Sequence, residues 1–458
     1  MLIRFKVGNF MSFNEIQEFS MIAGQTHSKS ERLMNDENLK LLKFGAIFGA
    51  NASGKSNLVK AIYSAQRILL EGGLKQPYPI DFYFKLDENY KEKPSYFEFE
   101  MKINNQYYAY GFEVIFSKKC LISEWLCEIS KNKSFVIFER NIMDESLNFP
   151  LKNKIKNRKL RRRFEVYSDD IKMNKSELFL KDICLKANLF KEESEVSIFK
   201  YVYEWIQKHL IIVTPGVVSN IDYFLDESEK NNDLLKNILL GFGTGITGYK
   251  INSSSLEESS LLDVEKEEIM RIAKNSICDI KTIPPVNVEA KISLFPPIPD
   301  RFLAVEIVDK KPFVKTLLFE HNKGLLNYSE ESDGTQRLLD LIDILLYPTE
   351  KTIFIDELDR SLHPQVTHKF VEMFLQMAEE RTNQLIITTH ESRLLDLGLL
   401  RRDEIWFVEK NEMGESRIYS LDEFNERFDR KIDKAYLEGK YGAVPIFNNI
   451  YPNFGKEL

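Results

Sequence analysis

Hydrophobic and polar positions alternate from the start of the chain. Ile3, Phe5 and Val7 are set against Leu2, Arg4 and Lys6, the period of two expected of a strand. Phe44-Gly45-Ala46-Ile47-Phe48 is an unbroken run of the kind found in strands covered on both faces. From Asn57 to Leu70 the period lengthens, and Leu58, Ile62, Ala65 and Leu69 predict a helix. Residues 80–140 return to β-forming residues. Tyr96-Phe97-Glu98-Phe99-Glu100-Met101 alternates, Asn104-Asn105 makes a turn, and Tyr107 to Phe112 comes back, which predicts an antiparallel meander. Residues 151–295 read as mainly helical, interrupted by polar stretches such as Asn252-Ser253-Ser254-Ser255. Phe302 to His321 reads as two strands around Asp309-Lys310-Lys311-Pro312, and from Ser332 onward helix and strand alternate as in an α/β core. The tail Tyr436 to Pro445 is punctuated by glycine and is expected to be irregular.

This pattern divides the chain into 1–150, a mainly helical insertion at 151–299, and 300–458. Neither an internal repeat nor a heptad run is present, which argues against a long coiled-coil tether. Composition narrows the class further. With 458 residues, 43% hydrophobic and 29% charged, the chain is expected to be a soluble globular protein. Its net charge of −7 provides no global attraction to nucleic acid, so any such contact needs a local patch. Cys120, Cys127, Cys184 and Cys278 lack metal-ligand spacing and are expected to be reduced thiols. The charged opening has no apolar segment behind it, and Asp340 and Asp343 interrupt the most apolar stretch. The expectation is a cytoplasmic protein with no membrane partner.

Candidate chemistry begins at Gly49-Ala50-Asn51-Ala52-Ser53-Gly54-Lys55-Ser56, which fits Gly-x-x-x-x-Gly-Lys-Ser/Thr between a predicted strand and a predicted helix. Such a loop turns successive backbone N–H groups, and the positive end of the next helix, toward phosphates. Gly49 and Gly54 permit the tight turn, Asn51, Ala52, Ser53 and Asn57 complete the cradle, Lys55 neutralises phosphate charge, and Ser56 offers a hydroxyl to Mg²⁺. Far downstream, the apolar strand Thr352 to Ile355 ends in Asp356-Glu357. Taken alone this is a common surface pair after a core strand. Placed after a phosphate loop, it assigns Asp356 to Mg²⁺ and Glu357 to the attacking water as general base. Ser332-Asp333-Gly334-Thr335-Gln336 opens an apolar helix, with Ser332 as N-cap. The same capped end is an anion site, and it suits a γ-phosphate pocket completed by a second protomer. His390 ends the strand Gln384 to Thr389. Histidine at a strand end is often incidental, but one strand after the Asp-Glu pair it suits a γ-phosphate sensor.

Together these residues resemble the ABC-type ATPases of the SMC and RecF group. More closely they resemble bacterial AAA-type ATPases associated with abortive infection and anti-phage defence. The resemblance covers roughly 1–140 and 300–445. Its carriers are Asn9-Phe10 with Ser12-Phe13, the phosphate loop, Glu331 to Arg337, Asp356-Glu357 with Ser361-Leu362-His363-Pro364, Thr389-His390, and the tail Tyr436 to Pro445. It implies an α/β, ABC-type (RecF/SMC-like) head with an antiparallel β lobe and a mainly helical insertion. It also implies ATP and Mg²⁺ as ligands, and a homodimer or higher homo-oligomer in which Ser332, Gly334 and Gln336 of one head face the phosphate loop of another. The chain departs from the transporter form by SDGTQ in place of LSGGQ and by His363 in place of the D-loop aspartate. Gln76 is the candidate for the glutamine that links nucleotide to the middle of the chain.

Three activities compete. One is an ATPase switch controlling a separate effector, a nuclease or toxin, in phage defence. Another is a RecF-like repair ATPase acting on DNA. The third, a transporter's ATP-binding subunit, conflicts with the long segment between phosphate loop and signature. A fused Toprim nuclease lacks its Gly-rich Asp-x-Asp constellation after His390. The run Lys152 to Arg163 holds Lys152, Lys154, Lys156, Arg158, Lys159, Arg161, Arg162 and Arg163, and is the candidate contact for DNA or RNA. Charge runs are more often solvated surface, and this one has no interleaved aromatic for base stacking.

Overall fold

The computed structural model describes residues 1–25, 28–35, 39–74, 79–130, 134–186, 189–190, 193–215, 224, 229–259, 261–280, 292–294, 303–308, 311–346, 350–424 and 432–444. Gln76, Asp309, Lys310 and Pro445 lie outside them. The chain splits into two compact units. One is Met1–Thr214, Thr349–Leu358 and Leu375–Leu458, and the other is Pro215–Pro348 and Asp359–Phe374.

The first unit opens with β1 (Leu2–Gly8) and β2 (Gln17–Ser20), the short pair β3 (Met34–Asn35) and β4 (Lys40–Leu41), then β5 (Phe44–Phe48) and α1 (Lys55–Glu71). The meander follows as β6 (Ser95–Ile103), β7 (Gln106–Ile115), β8 (Cys120–Ile129), β9 (Ser134–Asn141) and β10 (Ser146–Asn148). These strands join β1 and β2 in a seven-stranded sheet, ordered β10-β9-β8-β7-β6-β1-β2. The alternation at the start of the chain sets the register: Phe5 stands opposite Phe19 on one side and Phe99 on the other, all buried. Asn104 and Asn105 make the β6–β7 turn with φ of 49° and 61°, left-handed values that asparagine tolerates and a two-residue hairpin requires. Three helices come next, α2 (Arg158–Met173), α3 (Phe179–Cys184) and α4 (Ser197–Glu204), and then β11 (Leu210–Val213). Buried Glu124 of β8 accepts the N–H groups of Phe179 and Leu180 at 2.6 and 3.0 Å, satisfying donors that open α3.

The second unit contains α5 (Glu229–Gly241), β12 (Gly248–Ser255), α6 (Asp263–Ile280), β13 (Ile292–Leu294), β14 (Leu303–Val308), β15 (Lys311–His321), β16 (Gly324–Asn327) and α7 (Asp333–Leu346). Here the polar stretch Asn252 to Ser255 is not a break. It belongs to β12, paired antiparallel with Thr316 to Phe313 of β15 at one edge of a five-stranded sheet. An edge strand with much of its surface in water tolerates asparagine and serine, because the ladder rather than side-chain burial holds it.

The chain then supplies β17 (Thr352–Ile355), α8 (Pro364–Ala378), β18 (Gln384–Thr388), β19 (Ile405–Lys410), β20 (Ser416–Ser420) and α9 (Ile432–Leu437). In the first unit these strands complete a six-stranded sheet, ordered β11-β17-β18-β5-β19-β20, parallel except at β20. Fully buried Gln384 knits this sheet to the antiparallel lobe. It accepts from Leu2 N at 2.6 Å and Thr352 Oγ1 at 3.0 Å, and donates to the carbonyls of Leu2 and Leu42 at 2.9 and 3.0 Å. The tail begins as α9, and Tyr436 and Tyr441 stack on Phe407 of β19. No helix among the described residues is long and apolar enough to cross a membrane.

Candidate nucleotide-binding site

The carboxyl ends of five parallel strands share one edge of the six-stranded sheet, the edge where open α/β sheets bind ligands. β18 lies between β17 and β5. The strand ending at Thr388 therefore separates the one that feeds the phosphate loop from the one that ends at Asp356.

That order joins residues far apart in sequence. Ser56 Oγ donates to Asp356 Oδ1 at 3.1 Å. Thr388 Oγ1 donates to the same oxygen at 2.6 Å and accepts the Glu357 N–H at 2.8 Å, so one hydroxyl fixes both carboxylate residues. Glu357 sits at φ 54°, a left-handed conformation that costs a non-glycine residue about 1–2 kcal/mol. The bond from its N–H to Thr388 offsets part of that strain. His390 is exposed just beyond Thr389, whose N–H donates to Ile47 of the phosphate-loop strand at 3.1 Å.

The loop is shaped by contact on both sides. A Cβ on Gly49 would fall 2.4 Å from the Val408 carbonyl. Gly54 has φ 117°, and a Cβ there would fall 2.4 Å from Ser416 Oγ, so neither position accepts a side chain without movement. Lys55 is buried, and its Nζ donates to the carbonyls of Gly49 and Ala50 at 2.8 and 3.0 Å, which folds the ammonium over the loop. Ser53 Oγ is buried with no hydrogen-bond partner. Asn51 and Ala52 are exposed. Behind the loop, Ser416 Oγ donates to Ser53 O at 2.6 Å and meets Ser12 Oγ at 2.8 Å, while Asn57 Nδ2 donates to Ser12 Oγ at 2.7 Å. Ser12 entered the sequence reading only as a carrier of the family resemblance, with no role of its own, and Ser416, the first residue of β20, did not enter it.

An orphaned buried hydroxyl, an ammonium over the loop and a helix N-terminus fit a polyphosphate. The touching Ser56 hydroxyl and Asp356 carboxylate fit Mg²⁺, which takes one or two carboxylates and completes its shell with phosphate and water. Among the described residues, no group of three or more His, Cys, Asp or Glu is gathered as a protein-made metal cage. The described cysteines lie elsewhere. Burial raises the thiols of Cys120, Cys127 and Cys184, Cys127 to about 11, so they remain protonated at neutral pH.

Ser332, Gly334 and Gln336 belong to the second unit. Ser332 is exposed and caps α7: its Oγ accepts the Thr335 N–H at 3.3 Å, and its carbonyl accepts the Gln336 N–H at 2.8 Å. The Gln336 amide turns back to Glu331 O at 2.9 Å. A Cβ on Gly334 would meet the Ser361 carbonyl at 3.0 Å, so this turn is closely packed within its own unit. His363 caps α8, its Nδ1 accepting the Gln365 N–H at 3.2 Å.

A parallel sheet with a glycine loop at one strand end and an adjacent Asp-Glu pair defines the P-loop class of nucleotide-binding folds, here with an antiparallel lobe beside the sheet. The family model described as "AAA domain, putative AbiEii toxin, Type IV TA system" matches residues 44–180 and 229–396, more than half of the chain, and the chain belongs to that family. No curated protein matches it. Among solved structures, the SMC head domain from Thermotoga maritima is 15% identical over 92% of this chain and 98% of that one, with a TM-score of 0.38. An SMC head bound to the C-winged helix domain of ScpA is 14% identical over 92% and 97%, with a TM-score of 0.42. An SMC head with an extended coiled coil, bound to the C-terminal domain of ScpA derived from Pyrococcus furiosus, is 12% identical over 96% and 98%, with a TM-score of 0.39.

Proposed function

We propose that the chain binds and hydrolyses ATP with Mg²⁺, and that heads closing in pairs on nucleotide control a separate effector, a nuclease or toxin, in anti-phage defence. The observation that carries the ATPase reading is the three-way contact of Ser56, Asp356 and Thr388, with Glu357 hung on the same threonine. The family's description, a putative AbiEii toxin of a type IV TA system, supports the defence context.

Lys55 and the loop N–H groups hold the phosphates in the ground state. Mg²⁺, when bound at Ser56 and Asp356, neutralises phosphate charge. Glu357 takes a proton from the attacking water as its oxygen bonds to the γ-phosphorus and the bridging oxygen departs with ADP. His390 contacts the γ-phosphate from the intervening strand.

Lys55→Ala is expected to abolish ATP binding. Glu357→Gln is expected to keep binding and lose turnover by about a hundredfold or more, because a general base acts only in the transition state. Equal loss of affinity in both variants would remove these roles. In cells, Lys55→Ala should lose protection against phage. Protection by this chain without any second gene would count against a separate effector.

A further inference from the structure

The charge on α2 is placed against the helix's own stability. Arg158, Lys159, Arg161, Arg162 and Arg163 are five of its first six residues, and no acidic residue lies in its first turn. Cations at the positive end of a helix oppose its dipole, and like charges at i,i+4, as in Arg158/Arg162 and Lys159/Arg163, repel one another. Asn157 provides the cap, accepting the N–H groups of Lys159 and Leu160 at 3.0 and 3.2 Å, so the arginines are not needed to start the helix. Arg161 reaches Glu165 at 3.7 Å and Asn153 at 3.1 Å, and Lys154 lies 3.3 Å from the centre of the Phe135 ring. Lys152, Lys156, Arg158, Lys159, Arg162 and Arg163 are exposed and form no ion pair among the described residues. The opposite face is fixed in the core through Phe164, Ser168 and Ile171.

The same helix is tied to the phosphate-loop helix. Buried Arg140 donates to the carbonyls of Ile171, Asn174 and Glu177, holding the end of α2 and the turn after it. Next in the chain, Leu178 N donates to Gly72 O at 2.9 Å and Lys181 Nζ to Leu70 O at 2.6 Å. Gly72 and Leu70 end α1, whose first residue is Lys55.

We propose that the start of α2 and the turn before it form a docking surface for the phosphate backbone of a double-stranded nucleic acid, whose occupancy is relayed through α1 to the phosphate loop. Unpaired cations on a rigid helix in an acidic protein complement a polyanion. The run offers no aromatic for stacking, which disfavours a single strand. A lipid surface fits poorly, because the apolar face that would enter it is buried in the unit.

The test measures binding of a labelled DNA duplex, the matching RNA duplex and a single strand to the full chain at several salt concentrations. Arg158, Arg162 and Arg163 are changed together to glutamine. Lys172, Lys175 and Lys208, cations paired with Asp169, Glu145 and Glu204 at 2.7–2.8 Å, are changed together as a control of equal charge. The first variant should flatten the slope of log affinity against log salt by about one unit per lost contact, about three in all, while melting no lower than the native chain. The control should keep the native slope. The DNA and RNA arms decide which duplex is bound. An unchanged slope, equal flattening in the control, a lower melting temperature in the first variant, or tighter binding to anionic vesicles than to duplex overturns the docking surface. The relay rests on the ATPase reading above and predicts that duplex alters turnover in the native chain but not in the first variant; binding without any effect on turnover overturns it. A chain that bound duplex but hydrolysed no more ATP than Lys55→Ala would strike the ATPase reading and leave the docking standing.

Discussion

Thr388 holds the site together at a scale no motif describes. Asp356 and Glu357 were legible as a strand-end carboxylate pair, and the phosphate loop as a contiguous pattern, because each is local in sequence. The threonine's role arises only when β18 enters between β17 and β5, and its sole sequence signal is a hydroxyl ending an apolar strand. Thr388→Val keeps the volume and removes both hydrogen bonds. It is expected to lower kcat by about thirty- to a hundred-and-fiftyfold, as for the loss of two oriented groups worth about 1–1.5 kcal/mol each. Nucleotide affinity without Mg²⁺ should be unchanged, since neither carboxylate then bears on the phosphates; a parallel fall in that affinity would assign Thr388 to the loop instead. A second residue carries a pH signature. Glu404 is buried, and burial raises its carboxyl to about 8 despite the Arg401 N–H it accepts at 2.8 Å. A carboxyl raised in the folded state binds more protons there than in the unfolded chain, so stability is greatest below the unfolded value and falls as pH rises toward the folded one. Melting temperature should therefore decline between about pH 5 and pH 8. Glu404→Gln, neutral throughout, should flatten that decline, and an identical pH profile in the variant would contradict it.

Elements show where pattern reading loses force. The meander and the helix after the phosphate loop were legible because their periods of two and 3.6 are imposed by a core on one side. β12 was not, because its serines face enough water to erase the alternation, and its partner β15 lies some sixty residues on. β11 was hidden differently: four apolar residues at the end of a helical stretch do not reveal that they will pair with β17 as an edge of the nucleotide-binding sheet. The charge run was visible in the sequence, but its position at a helix N-terminus, which makes it costly, was not. The link from that helix to α1 passes through few groups, and Lys181 is the one that can be removed alone. Lys181→Met keeps most of the apolar stem while deleting the bonds to Leu70 O and the Tyr203 hydroxyl at 2.6 and 2.9 Å. It is expected to bind duplex as the native chain does while losing the duplex effect on turnover. Loss of binding together with turnover would place Lys181 in the docking surface.

For the whole molecule, the proposed pairing of heads assigns the second unit's capped helix to a nucleotide bound by another copy of the chain. Ser332 is exposed, and its hydroxyl spends its local bonding on Thr335, with Oγ to Oγ1 at 3.0 Å and the Thr335 N–H at 3.3 Å. An N-capped helix start open to solvent can accept an anion from another molecule, and ATP bound to one head offers its γ-phosphate as that anion. Hydrolysis would then separate the pair by removing the ligand that joins it, which lets ATP act as a timer for whatever the paired heads release or restrain. Glu357→Gln stops the timer. Light scattering of that variant should show ATP doubling the mass of the nucleotide-free species. Ser332→Arg should abolish turnover and the ATP-dependent pairing while leaving ATP affinity within about twofold, because the arginine blocks the seat of the partner's phosphate and not the chain's own loop. Full turnover in Ser332→Arg would mean that each head completes its own site, and the control of an effector would then have to be sought in the nucleotide state of a single head.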